Sequence, residues 1–235
     1  MHTILVDCRY YNTISAVWGG LFHVLPSYTS PALAAPVCSH PDMTLFDAGG
    51  KTFVCAPESY DYYRRLLYGY DIKLVQGETV LSSHYPADIA YNVARAGKCL
   101  IGHKTYTDPA ILRIAKENGL SFYPTRQGYA KCSSCIISEN ALITSDPSIA
   151  RSAQDAGLDV LCVCPGEVAL PGYDSGFLGG ACGLLPSGEL LCFGDITAHP
   201  DYCSIRSFCV RRGVSLRYLK NRPLTDIGTI LSIDG

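Results

Sequence analysis

Apolar runs separated by turn-forming residues divide positions 128–163 into an ordered series of elements. A run over 130–137 breaks at Glu139-Asn140, and a second run over 141–144 ends in Ser145-Asp146-Pro147. That trio predicts a helix start: Ser145 or Asp146 can accept the free amides, and Pro147 suits the first helical position. Ile149, Ala150, Ala153 and Ala156 recur at helical spacing, Gly157 supplies the stop, and 158–163 is a third apolar run. The pattern predicts strand, hairpin, strand, helix, strand.

The same order recurs along the chain. An earlier copy has apolar runs at 42–46, 52–55 and 72–75, with Gly49-Gly50 at the turn and a helix from Pro57 to Gly69. The next has runs at 88–93, 99–101 and 120–123, with Gly97 at the turn and a helix from Pro109 to Gly119. A later one has runs at 180–185, 189–193 and 214–216, with Gly188 at the turn and a helix from Pro200 to Gly213. Near the N-terminus the pattern predicts a strand over 3–8, a helix over 11–18 and a strand over 21–25; 26–41 is a connection rich in Pro, Ser and Ala. At the other end, 226–233 is a first strand with nothing after it. The two terminal fragments complete each other as a fifth unit.

The expected architecture is therefore α/β: one domain, 1–235, built as a five-unit ββαβ propeller. Its units span roughly 38–80, 85–125, 128–164, 178–220, and 224–235 joined to 1–25. Pairing of the N- and C-terminal strands would seal the ring and remove exposed sheet edges.

Composition agrees with a well-buried core, since 48% of residues are hydrophobic and 17% charged. A net charge of -2 offers no basic surface for nucleic acid. The opening Met1-His2-Thr3-Ile4-Leu5-Val6-Asp7 lacks the basic start and apolar stretch of a signal peptide. No run reaches the ~18 apolar residues of a membrane span. Twelve cysteines without a leader suggest a reducing, cytoplasmic setting. Cys55, Cys99, Cys162 and Cys192 fall in expected strands, where cysteine acts as a small buried hydrophobe.

A five-fold ring of such units resembles the pentein fold of guanidino-modifying enzymes: arginine and agmatine deiminases, dimethylarginine hydrolases and amidinotransferases. The non-catalytic translation initiation factor six family shares that fold. The stretches KCSSCIISENALITSDP, GFLGGACG and LTDIGTI are similar to those of a bacterial family placed in it. The resemblance implies a Cys nucleophile on the first strand of the terminus-split unit, a His from the middle unit and acidic residues that hold a guanidinium. The last unit, Leu224-Thr225-Asp226-Ile227-Gly228-Thr229-Ile230, has no Cys, and the middle unit, Gly128-Tyr129-Ala130-Lys131-Cys132, has no His. Acidic positions do match. Asp88 stands where many relatives carry Gly-Gly-Asp, and Asp42 and Asp226 are its equivalents in their own units.

These carboxylates would converge near the axis, where they raise one another's pKa unless a cation neutralises them. Each could equally cap a turn amide. Candidate ligand-binding residues are thus Asp88, Asp226, Asp42 and Lys131, with Cys182 and Cys132 as candidate nucleophiles. Cys182 sits in a Gly-rich stretch like the one before the deiminase cysteine, but one unit early. His40, His84, His103 and His199 are its possible partners; His40 and His84 precede first strands near the ring centre. Cys132-Ser-Ser-Cys135 with Cys162-Val-Cys164 has poor spacing for zinc, because strand residues three apart face opposite sides. No metal or cofactor is expected. The function expected is binding of a small cationic guanidino or amino compound at the axial end; the alternatives are a cysteine-dependent guanidino hydrolase or transferase and a non-catalytic interaction scaffold.

Overall fold

The computed structural model describes residues 1–234, so Gly235, the expected end of the fifth unit, lies outside the described residues. In chain order the elements are β1 (His2–Val6), α1 (Tyr11–Trp18), β2 (Phe22–Pro26), α2 (Pro41–Thr44), β3 (Leu45–Gly49), β4 (Thr52–Cys55), α3 (Tyr60–Leu66) and β5 (Lys73–Gln76). They continue with β6 (Ala94–Ala96), β7 (Cys99–Gly102), α4 (Pro109–Glu117), β8 (Ser121–Pro124), β9 (Cys135–Ser138), β10 (Ala141–Thr144), α5 (Pro147–Asp155) and β11 (Asp159–Cys162). Last come α6 (Leu178–Ala181), β12 (Cys182–Leu184), β13 (Glu189–Cys192), α7 (Tyr202–Val210), β14 (Ser215–Tyr218) and β15 (Leu231–Ser232).

Among the described residues, five three-stranded sheets result, in the orders β3-β4-β5, β6-β7-β8, β9-β10-β11, β12-β13-β14 and β15-β1-β2. In each, the first strand pairs antiparallel with the central one, through a hairpin in the first four sheets, and a helix carries the chain over to a parallel third strand. The fifth sheet joins the termini, with Ile4 opposite Ser232 and Leu5 opposite Leu231. This is the α/β pentein-type architecture.

Side-chain alternation explains why the central strands read as continuous apolar runs. On β10, Leu142 packs toward Ala96, Ile101 and Ile149, while Ala141 and Ile143 pack toward Leu190 and Ile205 of the next unit. On β1, Ile4 and Val6 face Leu191 and Phe193, and Leu5 faces Phe53 and Tyr63. On β4, Val54 joins Leu100 and Ile111. A strand buried on both faces needs apolar residues at every position. Five such clusters link consecutive units, and one of them spans the fifth unit and the first.

Helix punctuation follows the turn chemistry. Asp108 and Asp146 cap α4 and α5, Asp146 Oδ1 accepting from the Ser148 and Ile149 amides at 2.8 and 2.9 Å. The helix-closing Gly69, Gly119, Gly157 and Gly213 all have positive φ. α7 begins two residues beyond Pro200, after a 3-10 turn at Ile196–Ala198 that Asp195 caps.

First strands start later than the apolar pattern suggests. Residues 88–93 and 130–134 are turns, 41–44 and 178–181 are single helical turns, and of 226–233 only Leu231–Ser232 is strand. These segments are buried, so their apolar character reflects packing at the centre of the molecule. Of the four strand cysteines, Cys55 and Cys192 are buried, Cys99 is half-buried and Cys162 is exposed. The third strands are outer strands, which frees Cys162 from the core. All twelve cysteines are free thiols. Among the described residues, no helix is long and apolar enough to cross a membrane.

Candidate functional site

The turns that precede the first strands carry the polar centre of the molecule. Asp42 lies on α2, Asp88 and Asn92 on the turn before β6, Lys131 and Cys132 on the turn before β9, and Asp226 and Thr229 on the segment before β15. Backbone hydrogen bonds tie these turns together. Gly180 N–H donates to the Cys132 carbonyl at 2.9 Å, its own carbonyl accepts from Ile227 and Thr229, and Asp42 N–H donates to the Gly228 carbonyl at 3.2 Å. Two glycines make this crowding possible. A Cβ at Gly180 would overlap the Asp226 carboxylate, and Gly228, at φ +66°, lies against the His40 side chain.

Asp226 accepts from Phe177 N–H and Gly228 N–H, both at 2.9 Å. The Cys132 thiol donates to Asp42 Oδ2 at 2.9 Å and accepts from Asn92 Nδ2 at 3.2 Å. Asn92 Oδ1 in turn accepts from the Lys131 amide at 2.7 Å, and Lys131 Nζ donates to Thr229 Oγ1 at 2.8 Å. Asp88 is buried and accepts from the Tyr129 hydroxyl at 2.6 Å. His40 is 1% exposed, with Nδ1 3.8 Å from Asp226 Oδ1 and Nε2 3.9 Å from Asp7 Oδ2. Asp7 is committed to Arg9, whose guanidinium also binds the carbonyls of Ala35 and Pro36.

A cavity of about 170 Å³ opens on this cluster. Asp226, His40 and Cys132 form its polar wall, and Met43, Leu170, Tyr129, Tyr173 and Phe177 its apolar one. Burial pushes the Asp42 carboxyl up to about 6. Burial and the nearby Asp42 charge push Asp226 up to about 7. Burial and the Arg9 charge hold His40 down at about 3, so it is neutral at pH 7. The Cys132 thiol is raised well above its ordinary range by burial and by Asp42 and Asp226, and it keeps its proton.

The structure thus brings Asp42, Asp226 and Cys132 together at one site, with Lys131 and Asp88 flanking it. Asp226 lines the cavity, whereas Asp88 acts through the Tyr129 hydroxyl. Cys182 belongs elsewhere. Its thiol faces Cys192 at 3.4 Å, inside the apolar cluster between the third and fourth units, and it lines a separate cavity of about 280 Å³ together with Cys135 and Arg95. Neither His40 nor His84 reaches it, and His84 is exposed.

Sequence reasoning missed Asn92, Tyr129, Phe177 and Asp7. A lone amide within the apolar run 89–93 was the legible signal for Asn92, since a buried amide must organise neighbours. The three donors His40, Asp42 and Cys132, whose ligand atoms lie within 4.8 Å of one another, come from two units and share no sequence spacing.

Solved structures with the same architecture include dimethylarginine dimethylaminohydrolase from Pseudomonas aeruginosa, a variant complexed with citrulline (11% identity, TM-score 0.58, covering 93% of this chain and 92% of that one). Agmatine deiminase from Campylobacter jejuni, a variant with substrate bound, superposes at TM-score 0.59 with 6% identity over 98% of this chain and 92% of its own. Inosamine-phosphate amidinotransferase from Streptomyces griseus matches at TM-score 0.57 with 10% identity over 99% and 93%. At these identities the likeness is one of fold. No curated protein sequence matches the chain. A family model, however, matches residues 5–231, nearly the whole sequence, and the chain belongs to the Family of unknown function (DUF6873).

Proposed function

We propose that the axial cavity binds a small organic cation, a guanidino or amino compound, with Asp226 as the direct partner and Asp42 and Asp88 sustaining the negative field. One observation carries this reading: the buried Asp226 carboxylate lines the cavity across from an aromatic wall, and the buried Asp42 lies close enough to raise its pKa. Burial is the first cause of the raised values of both, so ionising these carboxylates is costly while the cavity holds no cation. A cation in the cavity would offset that cost, and the faces of Tyr129, Tyr173 and Phe177 would hold it by cation–π attraction. A carboxylate–guanidinium pair is strong when bidentate and shielded from water. The fold neighbours include proteins solved with citrulline or substrate bound, which fits a guanidino-type ligand.

A second reading, a cysteine-dependent guanidino hydrolase, is favoured by Cys132 sharing the cavity with His40. Against it, Cys132 is held protonated by the two carboxylates in the ligand-free state.

Thermal-shift screening of arginine, agmatine, polyamines and guanidino acids tests the first reading. A ligand at ~100 times its dissociation constant should stabilise the fold by about 2.7 kcal/mol. Asp226→Asn should abolish the shift and Cys182→Ser should keep it. Absence of any shift in the wild type, or an unchanged shift in Asp226→Asn, would place the function elsewhere.

A further inference from the structure

We propose that His40, Asp42 and Cys132 form a binding site for a divalent transition metal of the zinc type, open toward the axial cavity. An imidazole, a carboxylate and a thiol converge here, each fully or nearly fully buried. Their ligand atoms lie within 4.8 Å of one another, and Cys132 Sγ is already 2.9 Å from Asp42 Oδ2. With Zn–S near 2.3 Å and Zn–N near 2.0 Å, tetrahedral zinc holds neighbouring donors roughly 3.5 Å apart. Small side-chain adjustments would therefore close the set.

An independent observation points to a ligand. Neither ring nitrogen of His40 has a hydrogen-bond partner among the described residues, and the same holds for Asp42 Oδ1. A neutral imidazole presents one lone pair and one N–H, and burial without partners is unfavourable for both. A metal would take the lone pair. The remaining N–H would then face a carboxylate whichever nitrogen coordinates, because Asp226 lies beside Nδ1 and Asp7 beside Nε2. That is the carboxylate–histidine–metal arrangement that fixes ring orientation.

The charges balance. On binding, the Cys132 proton leaves to solvent, so thiolate and Asp42 together neutralise the dication. Asp226 takes no part in that balance and remains available to an organic cation. Three protein ligands leave a fourth tetrahedral position facing the cavity. The thiolate selects zinc-like ions over magnesium or calcium. The site does not depend on the organic-cation reading.

Cobalt(II), a coloured stand-in for zinc, provides the test. The full chain, with exposed Cys162, Cys164 and Cys203 replaced by Ser to remove surface thiols, is stripped with chelator and titrated. One equivalent should bind with a sulfur-to-cobalt charge-transfer band and intense tetrahedral visible bands, and zinc should discharge both. Cys132→Ser should lose the charge-transfer band, and His40→Gln and Asp42→Asn should weaken binding at least tenfold. Cys182→Ser and Asp226→Asn should keep the band, and Asp226→Asn would do so even where it abolishes the thermal shift by organic cations. Zinc-edge X-ray absorption of the loaded parent chain needs no further variant and should show one sulfur with nitrogen and oxygen donors. No band in the parent, a band that survives Cys132→Ser, or a zinc shell without sulfur would overturn the proposal.

Discussion

At the residue scale, the two buried carboxylates make stability depend on pH in a direction that can be worked out. Asp226 sits at about 7 in the folded chain, above its ordinary value of 3.8, so folding favours the protonated form. Its contribution is complete below about pH 4 and is lost as pH rises through about 7. The stability of the wild type relative to Asp226→Asn should therefore fall from pH 4 to pH 7, by at most about 1.4 kcal/mol per pH unit. Chemical denaturation of both proteins in chelator-treated buffer measures it, and a wild type that gains stability relative to the variant as pH rises would refute the assignment. Gly180→Ala should cost about 1–3 kcal/mol, because its methyl has nowhere to go but into the Asp226 carboxylate. Asp42 and Asp226 were legible as candidates because the repeat aligns them with Asp88, and Cys132 as a candidate nucleophile through the resemblance. Their partners were not. Asn92 and Tyr129 are recruited by packing between units, which leaves no spacing in the sequence, while His40 was legible only as a residue near the ring centre.

Elements were legible wherever a capping residue or a glycine fixed the chain direction. Asp146 illustrates this, with its carboxylate on two helix amides and on the Gln127 side chain at 2.9 Å. Asp146→Ala should cost about 1 kcal/mol, within a range of about 0.5–2, seen as a lowered denaturation midpoint with an unchanged slope. First-strand starts were not legible. Residues 88–93 and 130–134 are almost entirely buried, polar side chains included, and a short run of this kind reads alike whether it is strand or buried turn. The candidate site lies in those misread segments, where departure from the strand directs Asp88, Asn92 and Cys132 inward.

On the scale of the whole molecule, β1 is the central strand of the sheet that unites the two termini. Ile4, Leu5 and Val6 are fully buried and feed two of the five apolar clusters. Leu5→Ala should cost about 2–5 kcal/mol. Deleting residues 1–8 should cost more, since β2 and β15 lose their shared partner; an unchanged melting temperature in the truncated chain would contradict this. The axial cavity forms where the turns of the first, third and fifth units meet the 165–177 connection. Its central claim, that an organic cation is held there by buried carboxylates, predicts proton-linked binding: a cation must displace protons from groups at about 6 and about 7. The direct measurement is calorimetric titration of the metal-free chain with the best compound of the cation panel, at pH 5.5 and pH 8 and in two buffers of different ionisation enthalpy. Binding should be tighter at pH 8, with protons released near pH 6.5 and the binding heat lost in Asp226→Asn. Equal affinity at both pH values with no proton release would contradict the account.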